Sequence, residues 1–252
     1  MCIRDSHDSL SDIKAITFNK NSFSSRAIYY SKKYKIPVKH EKLKEPYLEI
    51  AEESKLYANK GFLTNLYHKD QFSRRIANYQ REKHLKKAIG FKSSISKRIL
   101  DGTGGLGHDA FIFALLGQEV TIVEKNIGLC ILIEEAINNL PDTSYFNSAK
   151  DKITILNGDS RKYLDQIQDF DVIYLDPMFN STKNIARTKN LSFINGYLGD
   201  YDNPLDDFLA TDYKRIVIKK ELKAPYGNLT EPTVSFKGAS IRFDVYTKGE
   251  KL

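Results

Sequence analysis

Cysteine is scarce in this sequence, since only Cys2 and Cys130 occur among 252 residues. Cys130 lies in the apolar stretch Leu129–Ile133, a pattern typical of a packed helix rather than of a metal ligand. This scarcity argues against a disulfide framework and against a thiolate metal site. We therefore expect no bound metal and a reducing, cytoplasmic location.

Long apolar runs are also missing. Stretches such as Ala110–Leu116 are well short of the roughly 18 residues that a membrane-spanning helix requires. Residues 1–9 are polar, unlike a secretory signal, and no internal repeat or low-complexity segment is evident. We expect no membrane partner, and the sequence leaves the oligomeric state open.

Acidic residues are fewer than basic ones. The 39 Lys and Arg against 32 Asp and Glu give a formal charge of +7 and a pI near 9.1. This excess favours a polyanionic partner such as RNA or DNA, although a solvated basic surface would produce the same composition. The length allows one large domain, or a large and a small one.

A glycine-rich turn, Asp101–Gly107, follows the apolar residues Ile99 and Leu100. Glycine lets the backbone pass close to a ligand, because it has no Cβ and tolerates positive φ. Three of the glycines also fit a dinucleotide fingerprint, and Glu124 stands about 20 residues on, where such sites place a ribose-binding acid. A phosphate-binding loop does not fit, because His108 and Asp109 replace its Lys-Ser/Thr. The turn by itself leaves a nucleotide cofactor and a purely structural connection open.

From residue 98 onward, strand-like and helix-like patterns alternate, which is typical of a parallel sheet covered on both faces. The predicted strands are 98–101, 119–124, 152–156, 170–175 and 214–219. The predicted helices are 108–116, 127–139, 160–167 and one or two within 183–211. Residues 233–236 and 241–247 flank a turn and predict a hairpin. The prediction is an α/β fold with a Rossmann-like class I methyltransferase sheet that ends in a C-terminal antiparallel hairpin.

Three segments are predicted along the chain. Residues 10–72 read as short strands and turns and form a small N-terminal α+β domain, residues 73–97 form a basic connecting helix, and residues 98–252 form the cofactor-binding domain. Ser73 is the predicted N-cap of the helix and Gly90 its stop. Its cations predict contact with an RNA backbone, although a solvated helix face is the competing interpretation. These cations are Arg74, Arg75, Arg81, Lys83, Lys86 and Lys87.

Carboxylates end four of the predicted strands, at Asp101, Glu124, Asp159 and Asp176. In such a sheet, ligands bind at the carboxyl ends of the strands, beside the point where the strand order reverses. One acid at a strand end is usually a helix cap, but four in succession favour a cofactor site. Glu124 suits the ribose of S-adenosylmethionine, and Asp159 with Ser160 suits its adenine edge.

The run Asp176-Pro177-Met178-Phe179 closes an apolar strand. The Asp176 carboxylate and a nearby backbone carbonyl can accept hydrogen bonds from an amino group on a flat base, and Phe179 can stack on that base. Conjugated amines are poor nucleophiles, so catalysis would depend on orientation and electrostatics. The structural alternative is a proline-bounded strand end with Phe179 in the core.

Several of these runs together resemble the small-subunit ribosomal RNA guanine-N2 methyltransferase J family over most of residues 60–248. They are Asp101–Phe111, Val123–Asn126, Tyr174–Phe179, Arg215–Lys220, Lys237-Gly238 and Arg242–Tyr246. The sequence departs from the family at His108, where arginine is usual, and at Asn78–Glu82, where the family has a glycine-rich basic stretch.

The resemblance implies S-adenosylmethionine-dependent methylation of the exocyclic N2 of one guanosine in 16S ribosomal RNA, as free RNA or in the 30S particle. The predicted catalytic residues are Asp176, Pro177 and Phe179. The predicted cofactor-binding residues are Asp101, Gly102, Gly104, Gly105, Gly107, His108, Asp109, Glu124, Lys125, Asp159, Ser160 and Asp176.

Three other functions share parts of this pattern. An adenine-N6 methyltransferase acting on DNA or RNA would carry a similar Asp-Pro-aromatic run. An NAD-dependent oxidoreductase would share the glycine fingerprint, and an RNA-binding protein with an inactive cofactor pocket would share the charge. Calorimetry with S-adenosylmethionine and with NAD would separate the methyltransferases from the other two.

Overall fold

The computed structural model describes residues 12–40, 43–58, 60–177, 193, 197, 204–226 and 230–248. Its first part is a four-stranded sheet with the strands in the order β1-β2-β3-β4. The bounds are β1 Ile16–Phe18, β2 Tyr47–Ile50, β3 Lys55–Ala58 and β4 Gly61–Leu63, and helix α1 spans Ser24–Tyr34 between β1 and β2. The sequence predicted an α+β class with short strands for this region, but it placed no helix at the position of α1.

The basic connecting segment is broken where a single helix was predicted from Ser73 to Gly90. It consists of α2 (Asp70–Ala77), a 3₁₀ turn (Tyr79–Arg81) and α3 (Lys83–Ala88). Asn78 and Glu82 have non-helical backbone angles, with φ and ψ of −116° and 18° and of −70° and 61°. The Asn78 side chain donates to the carbonyl of Arg74, a local bond that competes with helix continuation. The single-helix prediction was therefore wrong.

The second sheet contains seven strands and carries the candidate site. Their bounds are β5 Arg98–Asp101, β6 Glu119–Glu124, β7 Ile153–Asn157, β8 Val172–Leu175, β9 Arg215–Glu221, β10 Val234–Lys237 and β11 Ile241–Thr247. The central strands are apolar because helices cover both faces, and all four residues of β8 are buried.

The strand order is β10-β11-β9-β8-β5-β6-β7. Strand β11 runs antiparallel to both of its neighbours, while the pairs β5–β6, β6–β7, β5–β8 and β8–β9 are parallel. The chain leaves β5 towards β6 and β7 and then returns to the other side of β5 as β8. The order therefore reverses between β5 and β8, where ligands of open α/β sheets bind. The predicted α/β class with a C-terminal antiparallel hairpin is confirmed.

Further α-helices follow β5 in the described part of the chain. They are α4 His108–Leu115, α5 Ile127–Asn138, α6 Ser144–Lys150 and α7 Leu205–Leu209. The side chains of Asn126 and Thr143 accept backbone N–H bonds at the starts of α5 and α6. A helix was predicted at 160–167, and residues 160–169 form a 3₁₀ helix capped by Asp159.

The small sheet shares its apolar core with helix α5. Leu48, Leu56 and Leu63 cluster there with Leu129 and Leu132. The small sheet therefore covers one face of the helix that follows β6, and it reaches the candidate site from that side. Within the described residues, no helix is long and apolar enough to cross a membrane.

Candidate active site

The glycine turn after β5 is fastened to both neighbouring strands. The N–H of Gly102 donates to the carbonyl of Tyr174 at 3.0 Å, and that of Gly104 donates to the carbonyl of Val123 at 3.1 Å. A Cβ on Gly104 would lie 2.7 Å from Ile122 Cγ2, and one on Gly102 would lie 2.9 Å from Leu175 Cδ2. Glycine is required here because the turn packs directly on the strands.

Glu124 ends β6 and is buried, with a relative exposure of 1%. Its Oε2 accepts from the N–H of Gly105 at 2.7 Å, and its Oε1 accepts from the N–H of Asn126 at 2.8 Å. Each carboxylate oxygen can accept a further bond. The two backbone bonds therefore fix the orientation of the Glu124 carboxylate at the end of β6.

Asp159 follows β7 and is paired with two cations. Its Oδ2 lies 3.0 Å from Lys125 Nζ and 3.1 Å from Arg161 Nη1, and its Oδ1 accepts from the N–H of Arg161. Partial burial raises the pKa of Asp159. The Arg161 N–H, Lys125 and the Arg161 guanidinium lower it by a larger amount, so the pKa lies below its ordinary value. This carboxylate is held ionised at the mouth of the site.

A narrow cleft joins the ends of β5, β6 and β7. It is lined by Gly102, Thr103, Val123, Lys125, Asp159, Ser160 and Pro204. The sequence predicted four of these residues as cofactor contacts, namely Gly102, Lys125, Asp159 and Ser160. The fold brings them together although they lie in three separate parts of the chain.

Asp176 and Pro177 follow β8, beside the glycine turn. The Asp176 N–H donates to Thr103 Oγ1 at 2.6 Å, which joins the two predicted motifs across the point where the strand order reverses. Met178 and Phe179 lie outside the described residues, so the stacking predicted for Phe179 stays a prediction.

A cluster of charges lies behind Asp176. Lys219 Nζ, from β9, lies 2.8 Å from Asp176 Oδ2 and 2.9 Å from Asp109 Oδ2. Asp109 also accepts a hydrogen bond from the Tyr174 hydroxyl and pairs with Arg75 Nη1 at 2.5 Å. Asp109 was predicted as a cofactor contact, and the structure directs its carboxylate at these three donors.

Two of the carboxyl groups here have raised pKa values. Burial, together with Asp109, Asp176 and Glu124, raises the pKa of Asp101 to about 8, against the lowering effect of the Thr103 N–H. Partial burial and Asp109 raise the pKa of Asp176, while Lys219 opposes that rise. Acids with perturbed pKa values in a cleft are typical of functional sites.

His108, another predicted cofactor contact, faces the N-terminal part of the chain. Its ring stacks on Phe72 with centroids 4.1 Å apart, and its Nε2 lies 3.2 Å from Asn65 Oδ1. Burial lowers the pKa of His108 to about 4, with Arg75 and Lys219 adding to the effect and Asp109 opposing it. The neutral ring packs between the glycine turn and the connecting segment.

The predicted RNA-binding cations divide into two groups. Arg74, Arg81, Lys83 and Lys87 are exposed. Arg75 instead points inward, where it pairs with Asp109 and with Glu82 Oε1 at 2.6 Å. Lys86 lies over the Phe91 ring at 4.8 Å. Only the exposed group is placed to meet a phosphate backbone.

The C-terminal run Arg242–Tyr246 shapes the chain after β9. Arg242 is buried and pairs with Asp244 at 2.9 Å. Its Nη1 donates to the carbonyls of Leu222 and Ala224 at 2.8 and 2.6 Å. This motif therefore fixes residues 221–226, which follow the strand that carries Lys219.

Sequence reasoning missed Thr103, Arg161, Tyr174 and Lys219 as individual site residues. Lys219 had a recognisable signal, because it is a cation at the end of the apolar run Ile216–Ile218. A charge at the carboxyl end of a buried strand needs a partner, and the carboxyl ends of parallel strands meet at one edge. The other three depend on side-chain directions that local patterns do not specify.

Comparisons with known proteins agree with this geometry. A family model described as putative SAM-dependent methyltransferase matches residues 30–248. The ribosomal RNA small subunit methyltransferase J of Psychromonas ingrahamii is 35% identical over 173 residues, which are 65% of this chain and 66% of that protein, just under two thirds of its length. The protein of the same name from Francisella tularensis subsp. novicida is 30% identical over 200 residues, which are 77% of this chain and 83% of that protein.

A solved structure shows the same fold. The crystal structure of a SAM-dependent methyltransferase from Neisseria gonorrhoeae superposes with a TM-score of 0.67 at 20% sequence identity. The superposition covers 94% of this chain and 97% of that one. The likeness therefore extends over both sheets rather than over the cofactor-binding sheet alone.

Proposed function

The chain belongs to the ribosomal RNA small subunit methyltransferase J family of S-adenosylmethionine-dependent methyltransferases, and from that premise we propose that it methylates the exocyclic N2 of one guanosine in small-subunit ribosomal RNA. It is an rRNA methyltransferase with S-adenosylmethionine as its methyl donor. Membership of this family decides against the nicotinamide-dependent oxidoreductase. The observation that carries the choice of an amine is Asp176, whose backbone N–H bonds to Thr103 of the glycine turn and so places its carboxylate beside that turn.

The donor set suits S-adenosylmethionine. Glu124 would hold the ribose hydroxyls, Asp159 and Ser160 the adenine edge, and the glycine turn would pass beneath the methionine part. When bound, S-adenosylmethionine supplies a methyl group on positively charged sulfur, and both electrons of the carbon–sulfur bond stay on sulfur as the amine nitrogen bonds to that carbon. Glu124 and Asp159 are accordingly assigned to binding and not to the transfer itself.

Asp176 acts on the target amine. Its carboxylate would accept a hydrogen bond from one N–H of the exocyclic amine, and the Pro177 carbonyl would accept the other. These bonds direct the nitrogen lone pair out of conjugation with the base, towards the methyl group. The amine becomes positively charged as it is methylated, so the carboxylate stabilises that charge and can take the proton. Phe179 would stack on the base.

The RNA partner would be held by the exposed cations Arg74, Arg81, Lys83 and Lys87. Such contacts bind phosphates irrespective of sequence, so they orient the RNA and leave base choice to the pocket near Asp176. Small-subunit ribosomal RNA, either free or in the 30S particle, is the proposed substrate, and the cytoplasm is the proposed location.

An adenine-N6 methyltransferase is the rival, because its target amine would fit the same two acceptors. A direct test uses 30S particles and free 16S RNA from a strain that lacks the enzyme. Each is incubated with the full-length protein and methyl-labelled S-adenosylmethionine, and the nucleosides are separated by mass spectrometry. We expect the label in N2-methylguanosine, and the comparison of the two incubations decides whether free RNA or the 30S particle is the substrate. Label in N6-methyladenosine would establish the rival instead.

The role of Asp176 is tested in the same assay. Asp176→Ala should lower the rate of methyl transfer by roughly 10²-fold or more, because the amine loses its acceptor, while the Kd for S-adenosylmethionine changes little. Asp171→Ala is the matched control, since Asp171 directly precedes β8 at the opposite edge of the sheet and pairs there with Lys214. Near-normal turnover in Asp176→Ala would remove Asp176 from the mechanism.

A further inference from the structure

Lys219 is the cation that contacts Asp176 within the described residues. Its Nζ lies 2.8 Å from Asp176 Oδ2 and 2.9 Å from Asp109 Oδ2, so one ammonium group bridges two carboxylates. The three side chains come from different elements, namely β9, the residue after β8, and α4. The exposed fractions of these side chains are 7% for Asp109, 23% for Lys219 and 40% for Asp176. The bridge thus runs from the buried Asp109 to the more exposed Asp176.

Asp109 is the fixed end of this bridge. Besides Lys219, it receives the hydroxyl of Tyr174, which is fully buried, and the guanidinium of Arg75. Two cations and a hydroxyl donor hold this buried carboxylate ionised, so its pKa lies far below the ordinary range although burial by itself would raise it. Asp109 is therefore a rigid anchor for Lys219.

Asp176 is the end of the bridge that can contact a ligand. Lys219 occupies Oδ2, the backbone N–H is bonded to Thr103, and no donor from the described part of the chain contacts Oδ1. A carboxylate held in this way has one fixed oxygen and one that can accept from a ligand. A side chain with a free rotamer would lose conformational entropy on binding the amine, and this one has lost it beforehand.

We propose that Lys219 is a positioning residue for methyl transfer, which uses its anchorage on Asp109 to hold Asp176 with one carboxylate oxygen presented to the target amine. This inference rests on the proposed function, because it assigns Asp176 to the amine. It adds a residue whose contribution to methyl transfer is made through Asp176.

The charges around Asp176 give this role a signature. Asp101 faces it from β5, Asp109 and Arg75 from α4 and α2, and Tyr174 from β8, together with Lys219 from β9. Without Lys219, Asp176 would keep a nearby anion and lose its nearest cation. It would then take up a proton at higher pH, and a protonated Asp176 cannot accept the amine hydrogen bond as a carboxylate does.

The first test compares Lys219→Met, which keeps the length of the side chain and removes its charge, with Lys219→Arg, which keeps the charge. The rate of methyl transfer to 30S particles is measured against pH at saturating S-adenosylmethionine. In Lys219→Met we expect kcat to fall at least about tenfold near neutral pH. The acidic limb of the pH–rate profile should shift to higher pH by about one pH unit or more. Lys219→Arg should keep the limb near its wild-type position.

Matched controls separate positioning from folding. Lys214 directly precedes β9, and its Nζ lies 3.1 Å from Asp171 Oδ1. Lys214→Met removes this ion pair and should change neither kcat nor the acidic limb of the pH–rate profile. The Kd for S-adenosylmethionine should stay within about threefold of wild type in Lys219→Met. A wild-type pH profile in that variant, or a loss confined to cofactor affinity, would overturn the proposal.

A second variant covers the case in which Lys219→Met does not fold. Asp109→Asn removes the anion next to Asp176 and keeps the positive charge of Lys219, so the acidic limb of the pH–rate profile should move to lower pH, opposite to Lys219→Met. If both residues had only a structural role, Lys219→Met and Asp109→Asn would not shift the acidic limb in opposite directions. An upward or absent shift in Asp109→Asn would contradict the inference.

A readout without RNA distinguishes this inference from the proposed function. The protein is labelled with ¹³C at the aspartate carboxyl carbons, and the Asp176 signal, assigned by its loss in Asp176→Asn, is followed against pH. If the enzyme methylates another base or none, the proposed function fails, whereas the upward shift of the Asp176 titration in Lys219→Met still decides the role of Lys219. An unchanged titration would overturn that role irrespective of activity.

Discussion

The N–H of Gly105 donates a 2.7 Å hydrogen bond to Glu124 Oε2. This bond links the glycine turn after β5 to the carboxylate at the end of the neighbouring strand. The other oxygen of Glu124 accepts from Asn126, which caps helix α5. One buried side chain therefore holds the turn, the start of a helix and the proposed ribose position in a fixed arrangement.

Replacing Glu124 with Ala should weaken S-adenosylmethionine binding by about 1.5 to 3 kcal/mol, as expected for a lost charge-assisted hydrogen bond. Isothermal titration calorimetry measures this directly. Glu119→Ala is the matched control, because Glu119 is exposed at the amino end of the same strand. An unchanged Kd in Glu124→Ala would show that the carboxylate only supports the turn.

Removing the exposed cations Arg74, Arg81 and Lys83 together should weaken RNA binding. Each lost phosphate contact should reduce the slope of log K against log salt by about 0.7 to 0.9. The methylated base and the affinity for S-adenosylmethionine should not change, which filter binding over a salt series and nucleoside mass spectrometry would check.

Arg75 provides the comparison for that triple variant. Because its guanidinium is paired with Asp109 and Glu82, Arg75→Ala should lower stability or turnover and leave the salt slope intact. If the triple variant keeps the wild-type affinity and slope, the docking surface must be sought elsewhere. The remaining candidates are Lys87 and the N-terminal residues Lys32, Lys33, Lys35 and Lys39, of which Lys33 pairs with Glu134.

Gly107 and Gly117 separate backbone strain from lack of space. Both have positive φ, 70° and 82°, so alanine is strained at either position. A Cβ on Gly107 would lie 2.7 Å from the Tyr67 hydroxyl and 3.0 Å from Ile133 Cγ2, whereas nothing lies within 4 Å at Gly117. Tyr67 is buried and bonded to the Leu106 carbonyl, so it has little room to move.

Gly107→Ala should therefore cost about 1 to 3 kcal/mol more than Gly117→Ala, as is typical of overpacking. Urea unfolding of the two variants measures the difference. Equal losses of stability would mean that the site relaxes around the added methyl group and that only backbone strain matters.

Asp101 should make stability fall as pH rises. Its pKa of about 8 in the folded protein lies above its ordinary value near 4, so the folded state binds more protons between these limits. Asp101→Asn resembles the protonated form at all pH values. The free energy of unfolding of this variant minus that of wild type should increase from about pH 4 to about pH 8 and then level off.

Urea unfolding between pH 5 and pH 9 would follow this difference, which cancels the titration of all other groups. Asp151→Asn, at an exposed position between α6 and β7, controls for the substitution itself. A difference that does not grow with pH would show that Asp101 is ionised in the folded protein at neutral pH.

The sequence by itself determined the large sheet and the place of the site. The bounds of β5, β6 and β11 were predicted to the residue, because buried strands and their turns leave local patterns of apolar and glycine residues. The acids at the strand ends could be recognised in the sequence for the same reason. The predictions of the family and of S-adenosylmethionine as the cofactor are confirmed. The continuous helix from Ser73 to Gly90 was wrong, since its cationic pattern does not report the local bond of Asn78.

Only the tertiary structure decided which charges meet. Lys219, Asp109 and Asp176 are far apart in the chain, and they meet because β9 pairs with β8 while α4 starts beside β5. The inward direction of Arg75 and the stacking of His108 on Phe72 could not be predicted from the sequence either. Periodicity tells which face of an element is buried, but the partner of a buried charge is set by neighbours from distant parts of the chain.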